Sequence, residues 1–461
     1  MDTKDQALAS LHAAGLSDII HVPGSETYSA RVASYWSLTA QLKPWAIVQP
    51  RNTEEVSKAV KAIVATPDVK FAVRSTTYDP ETEIASLQPG GTWAESYQQL
   101  EKHGRMVAGG REGKVGVGGL LTGGGKTFYA CRVGFACDQV VSYELVLADG
   151  SIINANSTTN PDLFRALKGG GNNFGIVTRF DMTTFPAVDV WDCTITYPKK
   201  ATALLSEAIV DLTKNLATYP NGHILAMWTY LPEEEEHFVM VNMMDLDGVK
   251  EPRTLERFLD IPEVRDKVDT TLSIATKLSE FVVPSGKHDT WYTATFKADA
   301  RIILKSASVF ETLISTFKTQ VPNSNFYTQM VLQPLPVSFG AHSTARGGNM
   351  MGLDRIKDDC ILLVWAVEVD TPELNANVAG PALKNAIEEI EAYARSEDRD
   401  VAFRYLNYCD REQDPLGSYG EENVRHMRQV ASKFDPEGIF QTRVPGGFKL
   451  SKAGTGGARI G

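Results

Sequence analysis

Val115-Gly-Val-Gly-Gly-Leu-Leu-Thr-Gly-Gly-Gly125 follows Gly109-Gly-Arg111 and precedes Lys168-Gly-Gly-Gly-Asn-Asn-Phe-Gly-Ile-Val177, and these three stretches decide how the chain is read. Clustered glycines let backbone N–H groups approach an anion without interference from Cβ, which is how loops cradle a pyrophosphate. The same glycines also suit tight turns, where the backbone must bend sharply. Two familiar phosphate motifs fail here. Gly125-Lys-Thr127 resembles the end of a Walker loop, but Leu120 stands where its first glycine belongs. Gly116 and Gly118 open a G-x-G-x-x-G pattern that Leu121 breaks. Nucleoside triphosphate and Rossmann-type dinucleotide binding therefore drop out.

Around this centre lie 461 residues, more than one ordinary core holds, which predicts two large domains with room for a ligand pocket. Apolar residues make up 43% and charged ones 22%, an ordinary globular balance. No apolar run approaches the roughly 18 residues of a membrane span, so no membrane partner is expected. A net charge of −11 repels phosphate backbones and argues against nucleic acid. The start, Met1-Asp-Thr-Lys-Asp-Gln6, lacks the basic end and apolar segment of a secretory signal, which predicts a cytoplasmic protein. Cys131, Cys137, Cys193, Cys360 and Cys409 are scattered and lack metal-site spacing, so they read as buried thiols, with no disulfide framework and no metal.

Ala46-Ile-Val-Gln-Pro50 reads as a strand, Asn52 as the cap of a helix carrying Val56, Val60, Ile63 and Val64, and Val69-Lys-Phe-Ala-Val73 as a second strand. Such a strand-helix-strand unit has parallel strands with ligand loops at their carboxyl ends. Residues 143–147 and 152–154 flank Asp149-Gly150 as a hairpin. After Pro186, strands at 193–196, 224–230, 238–244, 326–333 and 361–369 alternate with helices near 201–217, 301–319 and 376–396, and a last strand is read at 401–408. The expected class is α+β, with residues 1–188 in a first domain, 189–400 in a second where helices cover a sheet, and 401–461 returning to the first. Ile361-Leu-Leu-Val-Trp-Ala-Val-Glu-Val-Asp370 puts Ile361, Leu363, Trp365, Val367 and Val369 on one face, suited to the helices, and Leu362, Val364, Ala366, Glu368 and Asp370 on the other. Trp228, Tyr230, Met240 and Met243 suit either core packing or an apolar pocket wall.

The glycine stretches, together with Ala136-Cys-Asp-Gln-Val-Val141, Leu147-Ala-Asp-Gly-Ser151 and Asn160-Pro-Asp-Leu-Phe164, resemble the flavin-binding half of berberine-bridge-enzyme-like oxidases, within the PCMH-type or vanillyl-alcohol-oxidase FAD superfamily. Tyr405-Leu-Asn-Tyr408, Tyr419-Gly-Glu-Glu-Asn423, Phe434-Asp-Pro-Glu-Gly438 and Val444-Pro-Gly-Gly-Phe448 are similar to that family's carboxyl-terminal segment, so the resemblance covers nearly the whole chain. It implies a two-domain PCMH-type fold with an antiparallel substrate-domain sheet, FAD as cofactor, a small secondary metabolite as substrate and O2 as electron acceptor. Fungal members of secondary metabolism are the most similar.

One departure stands out. In that family a strand ending in Arg-Ser is followed by Gly-Gly-His, whose amides hold the FAD pyrophosphate and whose His is bonded to the isoalloxazine. Here Arg74-Ser75 runs straight into Thr76-Thr-Tyr-Asp79, and a loop and a strand are missing. The Cys that anchors flavin a second time in bicovalent members falls at Glu112. The resemblance therefore implies noncovalent FAD, held by Arg74, Ser75, Val115, Gly116, Gly118, Gly119, Gly123, Gly175, Ile176 and Val177, with Asn407 near the ring edge. Several lost amide contacts at roughly 1.5–3 kcal/mol each would weaken that binding by several powers of ten.

The family's base is a Tyr of the Tyr-x-Asn-Tyr segment, and Tyr408 holds that position. Read without the resemblance, Tyr405 and Tyr408 equally fit packed strand aromatics. Glu368 is a candidate for tuning the base or touching substrate, and an exposed strand end explains it as well. No Ser, His, Asp set supports hydrolysis. The expectation is an FAD-linked oxidoreductase. Its rivals are a flavin-free isomerase or cyclase on the same scaffold, and an inactive remnant or misassembled gene product.

Overall fold

Alternation along strand Cys360–Val369 divides it between two environments. Ile361, Leu363, Trp365 and Val367 are fully buried, whereas Val364 and Ala366 on the other side are partly exposed. Helix Ala300–Gln320 explains the buried side. Asp299 caps it by accepting the amide of Arg301, and Ile302, Ile303, Phe310, Leu313, Ile314 and Phe317 recur at helical spacing along its buried stripe. Phe310 packs on Trp365 with ring centroids 5.3 Å apart, and Phe317 on Phe326 at 5.2 Å. Removing Phe310 from water contributes roughly 1.5–3 kcal/mol.

The computed structural model describes residues 2–35, 37–67, 69–71, 83–280 and 286–454. Its larger sheet has eight strands, in the order Asp266–Leu272, Val190–Pro198, Phe238–Asp245, Gly222–Tyr230, Phe326–Leu335, Cys360–Val369, His288–Lys297, Asp400–Val401. Every pairing in it is antiparallel. Helices Thr202–Asn215, Ala300–Gln320 and Gly380–Ser396 join its buried core. The other face is left partly open at Leu225, Met227, Met240, Gln329 and Val331. Trp228, Tyr230 and Met243 belong to the core, while Met240 lies on the open face.

A second sheet, also antiparallel, runs Ile84–Leu87, Ile176–Thr183, Val140–Val146, Ile152–Asn156. Its last two strands are the expected hairpin, closed by Leu147 N–H on the Ser151 carbonyl at 2.9 Å. Helix Thr53–Val64 starts as expected, with Asn52 accepting the amide of Glu55, and its Val56 and Val60 pack with Val146, Ile176, Phe440 and Val444.

Among the described residues the parallel strand-helix-strand unit is not seen. Ile47–Val48 pairs antiparallel with Ile20–His21, and residues 69–71 make no strand; 72 and 73 lie outside the described residues. Arg443 is the reason. Its guanidinium donates to the carbonyls of Ile63, Val64 and Val69 at 2.8–2.9 Å, and its own carbonyl accepts Phe71 N–H at 3.2 Å, so the segment is bonded to the carboxyl-terminal tail. The strand expected at 401–408 also shrinks, to Asp400–Val401. Beyond it Tyr405 is drawn to the glycine loop and Leu406–Tyr408 closes a single helical turn. Among the described residues no helix is long and apolar enough to cross a membrane.

Candidate active site

Gly124 and Gly125 have φ of +118° and +88°, a backbone that L side chains rarely adopt, and this lets the loop after Thr122 turn back sharply. The turn is fixed by Cys137 and Ala136 N–H groups on the carbonyls of Gly124 and Gly125, at 2.8 and 2.7 Å. It leaves the amides of Gly125 and Lys126 pointing at one atom. Both donate to the Tyr405 hydroxyl, at 2.9 and 2.8 Å, and Asn407 Nδ2 donates to the same oxygen at 3.0 Å. Tyr405 is buried, and burial together with the charge of Tyr408 pushes its phenol up. Asn407 is held further by the Leu120 carbonyl at 3.1 Å, and its Oδ1 lies against Gly123, where any side chain would collide with it.

Tyr408 follows, its ring at right angles to that of Tyr405 with centroids 4.7 Å apart. Arg111 Nη2 donates to the Tyr408 hydroxyl at 2.6 Å and to Gln333 Oε1 at 2.7 Å, and Gln333 Nε2 reaches the same hydroxyl at 3.3 Å. Gln333 belongs to the large sheet. The site therefore lies where the glycine loop, the Tyr405–Tyr408 segment and one end of the sheet's open face converge. Lys126 Nζ donates to the Pro334 carbonyl at 2.8 Å and stands 4.3 Å from the centre of the Phe339 ring. Burial, and secondarily Arg111, push this lysine down to about 7.

The structure thus brings together three residues expected from sequence: Gly123, Asn407 and Tyr408. It sets others apart. Val115 N–H is taken by Glu112 Oε2 at 2.8 Å, and Gly118 N–H by the Pro89 carbonyl at 2.8 Å, while Gly116 caps the short helix Val117–Thr122. Among the described residues nothing lies within 4 Å of the place a Gly119 side chain would begin. Gly175, Ile176 and Val177 are sheet residues: a Cβ on Gly175 would meet Leu145 at 2.9 Å, and Ile176 and Val177 pair with Val146 and Leu145. Arg74 and Ser75, with the junction that follows them, lie outside the described residues.

Glu368 is separated from the base it was expected to tune. It pairs with Tyr327, whereas Gln333, which touches Tyr408, pairs with Leu362. Six residues of extended strand between those two levels correspond to about 20 Å. Glu368 faces Asp289 across the next strand pair, and burial plus that neighbour push it up to about 7. Arg111, Lys126 and Gln333 were not singled out by sequence reasoning. The available signal was polar Gln329 and Gln333 recurring at even spacing in an otherwise apolar strand.

One observation fits a cofactor beside this loop. Among the described residues, the Gly119 side of the short helix is open. The fold is the two-domain PCMH-type architecture of flavin-dependent oxidoreductases. Solved members superpose closely: chitooligosaccharide oxidase with a TM-score of 0.74 at 18% identity over 96% of this chain and 99% of that one. A variant of berberine bridge enzyme in complex with (S)-reticuline gives 0.75 at 17% identity over 95% and 98%. A family model described as an FAD binding domain matches residues 73–156. The FAD-dependent monooxygenase drtC of Aspergillus calidoustus is 35% identical over 483 residues, covering 97% of this chain and 90% of that protein. The FAD-dependent monooxygenase sdcF of Emericella nidulans is 34% identical over 464 residues, covering 94% and 96%. The chain belongs to the berberine-bridge-enzyme-like family of FAD-dependent oxidoreductases.

Proposed function

We propose that the chain oxidises a small, largely apolar secondary metabolite, with Tyr408 as proton acceptor, noncovalently held FAD as cofactor and O2 as final electron acceptor. The observation that carries this reading is the Tyr408 hydroxyl fixed between Arg111 and Gln333 at the mouth of the glycine loop. FAD, when bound, supplies the acceptor for the hydride leaving a substrate C–H bond, and O2 takes up the electrons as hydrogen peroxide. Tyr408 takes the proton of a substrate hydroxyl or amine. Arg111 holds the Tyr408 oxygen in one place, and Asn407, tied to Leu120 and Tyr405 beside Gly123, would help hold the flavin. Leu225, Met227, Val331 and Val364 give the open sheet face an apolar wall.

Noncovalent binding is supported by Glu112, whose carboxylate closes its own turn by accepting the amides of Lys114 and Val115. The alignment with the Aspergillus relative runs over 483 positions, more than this chain's 461 residues. That relative therefore carries residues without counterpart here, in keeping with an excised loop after Ser75.

A second reading, an acid–base isomerase or cyclase without flavin, is favoured by the amides of Val117 and Gly118 being already spent on the Gly91 and Pro89 carbonyls. The visible spectrum of the purified protein before and after acid precipitation separates the two. Yellow colour released to the supernatant is the expected result. Colour retained in the pellet rules out noncovalent attachment, and a colourless, folded protein transfers the assignment to the second reading.

A further inference from the structure

Among the described residues, the hydrogen-bond partners of Arg111 and Lys126 are all neutral. Arg111 Nη2 is spent on Gln333 and Tyr408, and its Nη1 is buried without a partner among the described residues. Lys126, 5% exposed, donates to the Pro334 carbonyl, so the two charges bracket the consecutive residues Gln333 and Pro334. His223 lies in the neighbouring strand Gly222–Tyr230, three residues before Ala226, which pairs antiparallel with Leu332, so it comes in at the Gln333–Leu335 end of the sheet. It is 6% exposed, its Nε2 is likewise buried and unpartnered, and its ring stands edge-on to Phe128 at 5.1 Å. Burial pushes this imidazole well down, and the charges of Arg111, Lys126 and Lys277 add to the shift. The acid facing Lys277 is Asp192, already paired with it at 2.6 Å.

A buried lysine and a half-buried arginine without a counter-ion among the described residues, and two buried nitrogens without partners, are costly to fold around. One ligand chemistry relieves all of it. A carboxylate brings one negative charge to the two cations and two oxygens to the two orphaned nitrogens, with the strength of charge-assisted hydrogen bonds. The anion would also favour the charged form of Lys126, whose pKa burial has lowered to about 7.

We infer that Arg111, Lys126 and His223 form a carboxylate-binding site, and that the substrate is an organic acid docked there with its reacting carbon beside Tyr408 and the open sheet face. The inference rests on Tyr408 being the proton acceptor of the proposed oxidation.

Benzoate is the probe and benzamide, of the same shape without the charge, its control. Both are titrated calorimetrically at pH 7 into the full chain as isolated, with flavin content recorded separately. Benzoate is expected to bind about tenfold tighter than benzamide or better. Arg111→Gln should bring the two within about twofold while flavin content and Tm stay unchanged. Lys126→Met, which serves equally if the first variant does not fold, should weaken benzoate about fivefold and leave benzamide alone. Equal affinity for the two probes, binding of neither, or loss of flavin rather than of benzoate in Arg111→Gln overturns the proposal. A colourless protein that prefers benzoate keeps the carboxylate site and loses the oxidase reading. A yellow protein indifferent to benzoate does the reverse.

Discussion

Asn407 Oδ1 occupies the space that a side chain on Gly123 would need. The amide cannot swing away freely, because its Nδ2 is bonded to the Leu120 carbonyl and the Tyr405 hydroxyl. Gly123→Ala is therefore expected to cost about 1–3 kcal/mol in urea unfolding, the usual range for overpacking a fixed neighbour. Gly119→Ala is the contrast, since open space surrounds that position. It should leave the flavin-free protein within about 0.5 kcal/mol of the parent and lower bound flavin. Equal stability losses in the two variants would contradict this account of the loop.

Three N–H donors converge on the Tyr405 hydroxyl, two of them main-chain amides of the glycine loop. Tyr405→Phe removes their acceptor and nothing else of comparable size. Buried donors without partners cost about 1–3 kcal/mol each, so with some relaxation a loss of about 2–4 kcal/mol is expected in urea unfolding. Turnover should fall as well, because the displaced loop carries Lys126 and the same turn positions Tyr408. A variant as stable as the parent would mean that solvent replaces the phenol.

What the sequence made legible was whatever repeats with the period of an element. Strand Cys360–Val369 divided its faces as the alternation of Ile361, Leu363, Trp365 and Val367 required, and Asn52 capped its helix. Asp266–Leu272 escaped because it is an edge strand of mostly exposed polar residues, which carries no apolar alternation. Residues 69–71 misled because Val69 and Phe71 look like a strand, while the interaction that decides their path comes from Arg443, far along the chain. The site divides in the same way. Asn407 and Tyr408 belong to one short motif, which the family resemblance singled out. Arg111 and Gln333 meet Tyr408 only through the fold, across sequence separations that no local pattern encodes.

Arg443 itself is a test of that long-range contact. Its guanidinium donates to the Ile63 and Val64 carbonyls at the end of helix Thr53–Val64, the first of which also accepts Thr66 N–H at 3.1 Å. Arg443→Met keeps the length of the side chain and removes every donor. The expected loss is about 2–3 kcal/mol, together with faster amide hydrogen exchange in the last turn of that helix and none in the large sheet. Uniform exchange across both would show that the contact is not local.

Glu368 separates a stability role from a catalytic one. It is 8% exposed, and burial first and Asp289 second raise its carboxyl to about 7 from an ordinary 4.5, with Lys287 pulling the other way. Between those pH values the folded chain keeps a proton that the unfolded chain has lost. Stability therefore falls as pH rises from 4.5 through 7. Glu368→Gln removes the buried charge, so the variant should be more stable than the parent by about 1–3 kcal/mol at pH 8, the gain vanishing toward pH 4.5. Asp289, itself raised to about 6 by burial, titrates with it and will broaden the transition. Turnover of the flavin-loaded enzyme should stay within about twofold, because about 20 Å of strand separates Glu368 from the level of Gln333 and Tyr408. A loss of turnover beyond about tenfold without the stability gain would return Glu368 to the chemistry.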